Sequence, residues 1–299
     1  MGNILVIGSL NVDLVSKVPH LPKVGETILS TDFHQSYGGK GANQAVAAAN
    51  LGANVSMIGK VGTDENGKGL INSLVQAGVS TYGLKQDGTT GMAFINVDGK
   101  GDNQIVIVPG ANDQLIISDI DEMKSLIEQS DYILIQLEIP LDVVEYSINL
   151  AVDMGKEVIL NPAPMQEVPN EILRNLYALI PNETELQALT GKPVATIQEI
   201  AVAAKHLQAK GVGRIIVTMG SRGSYLINDD EERLIPAYQV NAVDATAAGD
   251  AYIAAFAVGK TKGLSDREAA EFANKTSAIV VTRKGAQTAL PTLEEVEQF

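Results

Sequence analysis

Short runs of β-branched and aliphatic residues alternate along this chain with longer stretches whose apolar positions recur every three to four residues. Residues 4–7, 55–58, 132–135, 157–160, 178–180 and 214–217 are nearly continuous apolar runs, the pattern of strands buried on both faces. Residues 41–51, 67–76, 120–129, 141–154, 183–189 and 197–209 have helical spacing, and two further helices are predicted over 249–259 and 265–282. Strand–helix alternation of this kind predicts an α/β fold, a doubly wound and mostly parallel sheet with helices on both faces.

Two regions break the rhythm. Residues 14–37 and 89–108 read as antiparallel strands without helices of their own, and Val97-Asp98-Gly99-Lys100-Gly101-Asp102 supplies an Asp-Gly hairpin turn between 92–97 and 104–108. These segments would form either a small sheet standing off the main domain, as a lid does, or an edge extension of the main sheet. No repeat or linker divides residues 1–299, so a single domain with the lid built from insertions is expected.

Composition narrows the function classes. The chain has no cysteine, which excludes disulfides, thiolate zinc sites and a cysteine nucleophile, and fits a reducing cytoplasm. Its net charge of −14 makes nucleic acid or an anionic membrane a poor partner, so any phosphate ligand needs locally positive surroundings. The first residues run straight into a strand pattern with no signal-peptide character. The apolar run Ala251 to Val258 falls far short of the roughly 18 residues of a membrane span. A soluble, cytoplasmic protein is expected.

The segment with most chemical content is Val243-Asp244-Ala245-Thr246-Ala247-Ala248-Gly249-Asp250, which opens the 249–259 helix. Small residues at a helix start let an anion approach free backbone N–H groups. A carboxylate there does not hold phosphate; it is either a helix cap or a base that takes a proton from a hydroxyl attacking phosphorus. Gly38-Gly39-Lys40-Gly41-Ala42-Asn43-Gln44 opens an alanine-rich helix and offers a close backbone, one ammonium and an amide. Asn11 and Asp13 follow the first strand, as a turn pair or as acceptors for vicinal hydroxyls. Asn182 and Glu185 share one helix face and suit either a capping box or magnesium held through its waters. Thr218-Met219-Gly220-Ser221-Arg222-Gly223 is a hairpin turn or a seat for triphosphate oxygens.

Other signals fail. Gly62 to Gly69 mimics a phosphate-binding loop but carries Asp64 and Glu65 and lacks the hydroxyl after its lysine, so it is a structural turn. His20, His34 and His206 have no metal-ligand spacing. Neither a Gly-x-Ser-x-Gly nucleophile segment nor a Gly-x-Gly-x-x-Gly fingerprint after the first strand is present, which counts against a serine hydrolase and a nicotinamide enzyme.

Taken in order, Gly8 to Asp13, Gly25-Glu26-Thr27, Gly38 to Gln44, Pro181 to Glu185, Ala247 to Asp250 and Thr282-Arg283-Lys284-Gly285-Ala286-Gln287 resemble the PfkB-type carbohydrate kinase family over about residues 4–291. The Gly-Gly-Lys-Gly-Ala-Asn-Gln and Arg-Lys-Gly-Ala-Gln segments resemble its ribose-phosphorylating branch. The resemblance implies a Rossmann-like domain with a β-sheet lid through which two subunits form a homodimer, and transfer of the ATP γ-phosphoryl group to the 5-hydroxyl of D-ribose. It implies that Asp250 is the catalytic base and that Ala247, Ala248 and Gly249 form the anion hole. Asn11, Asp13, Gly39, Lys40, Gly41, Asn43 and Glu138 match sugar-contacting positions. Asn182, Glu185, Thr218, Gly220, Ser221, Gly223 and Asn274 match positions around ATP and magnesium. Asp244, Thr246, Val280, Arg283 and Gly285 match the loop pair that holds an activating potassium ion. The chain departs from the family pattern at Tyr37, Ala245, Ala289 and the run Ala251-Tyr252-Ile253-Ala254. A related kinase for deoxyribose or a nucleoside, and a catalytically silent sugar-binding regulator, are the competing readings.

Overall fold

The computed structural model describes residues 2–299. In chain order its strands are β1 (Asn3–Ile7), β2 (Asn11–Lys17), β3 (Asp32–Gly38), β4 (Asn54–Val61), β5 (Ser80–Gln86), β6 (Gly91–Val97), β7 (Asn103–Val108), β8 (Tyr132–Gln136), β9 (Glu157–Asn161), β10 (Ala178–Leu179), β11 (Ile215–Thr218), β12 (Ser224–Ile227) and β13 (Glu232–Ile235). Nine of them form the main sheet in the order β13-β12-β11-β10-β9-β8-β1-β4-β5, parallel except for the β11–β12–β13 edge.

Alternate residues of β1 belong to opposite cores, as period-2 geometry requires. Ile4 and Val6 pack under the helices Lys40–Asn50 and Ala248–Thr261. Leu5 and Ile7 belong to the core on the opposite face, which also holds Val143 and Ile148 of the helix Leu141–Asp153 and, farther along the sheet, Ile200 of the helix Ile197–Gln208. All four are essentially inaccessible to solvent, which explains why the strand reads as an unbroken apolar run.

The lid is a separate four-stranded sheet, order β3-β2-β6-β7. Its two hairpins are antiparallel as expected, but β2 and β6 pair in parallel, Asn11 opposite Gly91 and Lys17 opposite Val97. The chain leaves the main sheet at the start of each hairpin, so the two leading strands run outward side by side. β2 begins at Asn11 rather than residue 14, so Asn11 and Asp13 are strand residues at the base of the lid and not a turn.

Other departures have simple causes. The helix expected over 120–129 is two short ones, Ile117–Asp121 and Lys124–Gln129, separated by a tight turn in which Met123 N–H donates to Ile120 O at 3.0 Å. β5 and β13 went unread because both are edge strands with a single buried residue each, where apolar patterning is weak. The short helices Asn170–Arg174 and Leu293–Gln298 span under two turns and leave too few periods to detect.

Candidate active site

Asp250 is the third residue of the helix Ala248–Thr261, and its side chain does not cap that helix. Its carboxylate instead faces the neighbouring helix Lys40–Asn50. Oδ2 accepts from Asn43 Nδ2 at 3.0 Å and Oδ1 from Gln44 Nε2 at 3.1 Å. Burial raises the Asp250 pKa; the Lys40 charge and the two amide donors oppose this, and the net shift is upward. Ala247, just before the helix, holds φ at 61°, a left-handed conformation that costs a non-glycine residue about 1 kcal/mol. That bend presents the helix start toward the site, although the Ala248 N–H donates to Ala245 O at 3.2 Å.

Glycine is required where the second helix begins. Gly39 has φ +89°, and a Cβ on Gly41 would come within 2.6 Å of Ser9 N, so the loop can lie against the chain leaving β1 only without side chains. This contact brings Lys40 N to Glu138 Oε2 at 3.1 Å. The same oxygen accepts from Ser9 Oγ and, at 3.4 Å, from Asn11 Nδ2. Asp13 is pushed up to about 7 by burial and by the charges of Glu138 and Asp250. Burial works against the Lys40 ammonium, but Asp250, Glu138 and Glu185 together hold its pKa above the ordinary value. One lysine thus balances a group of carboxylates. Asn43 Oδ1 is buried with no hydrogen-bond partner.

A cavity of about 240 Å³ is lined in part by Lys40, Asn182, Glu185, Thr218, Gly249 and Asp250. A second, of about 300 Å³, holds Gly220, Ser221, Gly223, Tyr252 and Asn274. The two share Thr218, Ala245 and Gly249, so a long ligand could run through both. Asn274 Nδ2 donates to Ile235 O at 3.0 Å, which anchors the floor of the second cavity.

The capping reading of Asn182 and Glu185 holds. Glu185 N–H donates to Asn182 Oδ1 at 2.8 Å, while both Glu185 oxygens accept from Asn182. One carboxylate and one amide beside a phosphate-sized space suit magnesium that keeps most of its own waters. Among the described residues no group of three or more His, Asp or Glu side chains could hold a metal ion alone.

The loop pair around Asp244 is also joined. Asp244 Oδ2 accepts from Gly285 N at 2.9 Å and Oδ1 from Thr246 N at 2.9 Å. Burial would raise its pKa, but these hydrogen bonds hold it below the usual carboxylate range. Val280 O accepts from Arg283 N at 3.0 Å, and the Arg283 side chain pairs with Glu295 at 2.6 Å. Ala289 is fully buried. Tyr37 sits in the space left by Gly69, where a Cβ would collide with its hydroxyl. Asp64 accepts from Gly67 N at 2.9 Å and Thr90 N at 2.8 Å, in keeping with a structural turn.

Sequence reasoning passed over three buried amides. Asn112 donates to Leu10 O and Asn11 Oδ1, and so fixes how Asn11 is turned. Gln136 donates to Gln44 Oε1 at 2.7 Å. Gln44 stood in the quoted glycine segment; Asn112 and Gln136 had no local signal, because their partners lie about a hundred residues away.

The sequence pattern of the pfkB family carbohydrate kinases matches residues 1–293. The chain is 40% identical to a protein named Ribokinase from Haemophilus influenzae, covering 98% of this chain and 97% of that one. It is also 40% identical to a Deoxyribokinase from Salmonella typhi, over 99% of this chain and 98% of that one. The structure of Arabidopsis thaliana Ribokinase complexed with ribose and ATP superposes with a TM-score of 0.92 at 32% identity, covering 100% of this chain and 98% of that one.

Proposed function

Because the chain belongs to the pfkB family of carbohydrate kinases, and is therefore a phosphotransferase, we propose that it moves the γ-phosphoryl group of ATP to the 5-hydroxyl of D-ribose. The observation that carries this reading is the position of Asp250. Its carboxylate is buried, held by two amides, and lines the smaller of the two cavities, one residue after Gly249, which lines both. A sugar against Asn11, Asp13, Gly39, Lys40, Gly41, Asn43 and Glu138 would present its hydroxyl to Asp250. ATP would run across Thr218, Gly220, Ser221 and Gly223 with Asn274 at the far wall.

In the reaction Asp250 takes the proton as the sugar oxygen bonds to phosphorus, and the bond from phosphorus to the β-phosphate oxygen breaks to leave ADP. Lys40 and the N–H groups of Ala247, Ala248 and Gly249 offset charge on the transferring group. For this the Ala248 N–H must exchange its bond to Ala245 O for one to phosphate. Magnesium, when bound near Asn182 and Glu185, would neutralise phosphate charge. A monovalent cation such as potassium, held by Asp244, Thr246, Val280, Arg283 and Gly285 mainly through carbonyls, would add positive field beside the helix start. The lid, proposed as the two inserted segments 14–37 and 89–108, would close over the sugar and also dimerise. Phe94 and Val106 are exposed on one face of it and Ile105 and Ile107 on the other, apolar surface that a second copy would cover. A cytoplasmic setting goes with this chemistry.

The equal similarity to a deoxyribokinase favours 2-deoxyribose as the second acceptor to weigh. ADP release measured with ATP against ribose, deoxyribose and a nucleoside, with and without potassium, tests the reading. Ribose is expected to give the highest kcat/KM. ADP release independent of any sugar would overturn it.

A further inference from the structure

Behind the catalytic carboxylate lies a buried chain of amides. Gln44 and Gln136 are both fully inaccessible to solvent, so neither can touch a ligand. Gln44 Nε2 donates to Asp250 Oδ1 at 3.1 Å, and Gln44 Oε1 accepts from Gln136 Nε2 at 2.7 Å. Gln136 is the last residue of β8, beside β1, the innermost region of the sheet. The residue after β1 is Gly8, where a Cβ would collide with Gln136 Oε1; the sheet itself thus holds that amide in place. An ionised Asp250 can only accept, which fixes the direction of every donor in the chain. Gln136 Oε1 has no donor of its own, so the polar run ends there rather than reaching solvent.

We propose that Gln44 and Gln136 are positioning residues for the phosphoryl transfer: they connect the central sheet to Asp250, fix the rotation of its carboxylate and keep it ionised. This rests on Asp250 being the base. Asn43 holds the other oxygen but borders the sugar site, so only Gln44 is free to act on the carboxylate without contacting substrate. The charged groups facing Asp250 are Lys40 on the glycine-loop helix, Asp13 on β2 and Glu185 on the helix Glu183–Thr190. None of them is altered by changing Gln44 or Gln136. A lone amide donor to a carboxylate favours its charged form, and a donor whose own rotation is fixed by a second amide does so with less loss of freedom.

The test uses the near-isosteric variants Gln44→Met and Gln136→Met in the full chain, with Asp250→Asn alongside. Gln44→Met should lower kcat by tenfold or more while the sugar KM stays within about threefold. It should also move the acid limb of the kcat/KM profile up by about one pH unit, because the lost donor raises the Asp250 pKa. Gln136→Met should move both readouts in the same direction by less. An unmoved acid limb with kcat within twofold in a folded Gln44→Met would overturn the proposal. If Gln44→Met does not fold, Gln136→Met alone decides it by the same limb. Turnover retained in Asp250→Asn would instead overturn the assignment of the base, a separate failure.

Discussion

The carboxylates around Lys40 differ in what holds them, and this separates their roles. Burial is the largest influence on both Asp250 and Asp13 and raises both, but at Asp250 the Lys40 ammonium and two amide hydrogen bonds oppose it, whereas at Asp13 the like charges of Glu138 and Asp250 add to it. Asp250→Asn should lower kcat by about 10²–10⁴-fold while leaving the sugar and nucleotide dissociation constants within a few-fold, as calorimetry and steady-state kinetics can separate. Asp13 carries a stability cost. It titrates at 3.8 in the unfolded reference and at about 7 in the fold, so between those values the folded state binds the extra proton. Its contribution therefore worsens as pH rises through that window, and is fully unfavourable above it. Asp13→Asn should leave the thermal midpoint almost unchanged at pH 4 and stabilise the protein by about 1–3 kcal/mol at pH 8, while weakening sugar binding. A larger gain at pH 4 than at pH 8 would contradict this.

Two helix starts meet at the site, and each is shaped by what its backbone must do. Lys40–Asn50 begins on glycines because it lies against Ser9 and Leu10; Ala248–Thr261 begins on a strained alanine that turns it toward the cavities. Gly41→Ala would drive a methyl into Ser9 N and Gly8 C, at 2.6 and 2.7 Å, where only backbone can yield. Displacing this helix would shift Asn43, Gln44 and Lys40 together. The expected outcome is a loss of about 1–3 kcal/mol in urea denaturation together with a raised sugar KM. By contrast Asn182 and Glu185 are already satisfied as a capping box, so their capping role is independent of any ligand.

At the level of the whole molecule, the main sheet and the separate four-stranded sheet differ in burial. Strands β1, β8 and β9 are buried on both faces, while every residue of β7 is exposed. Sugar and nucleotide together should slow hydrogen exchange in β2, β3, β6 and β7 more than in β8 and β9; equal slowing would argue against closure. Placing charge on the lid face with Ile105→Lys and Ile107→Lys should shift sedimentation to a monomer if that face pairs two copies. Among the described residues no helix is long and apolar enough to cross a membrane.

The parallel core was legible because strands buried on both faces must be apolar throughout, and the glycine segment because close backbone approach admits no other residue. Both are local constraints, written over a few consecutive positions. Whether Asp250 caps its own helix or faces another could not be read that way: its partners Asn43 and Gln44 lie 207 and 206 residues earlier. The same limit applies to the parallel pairing of β2 with β6 and to the amide chain from Gln136. Periodicity records which face of an element is buried; which element it is buried against, and so the partners and orientation of the Asp250 carboxylate, was decided only when the chain packed.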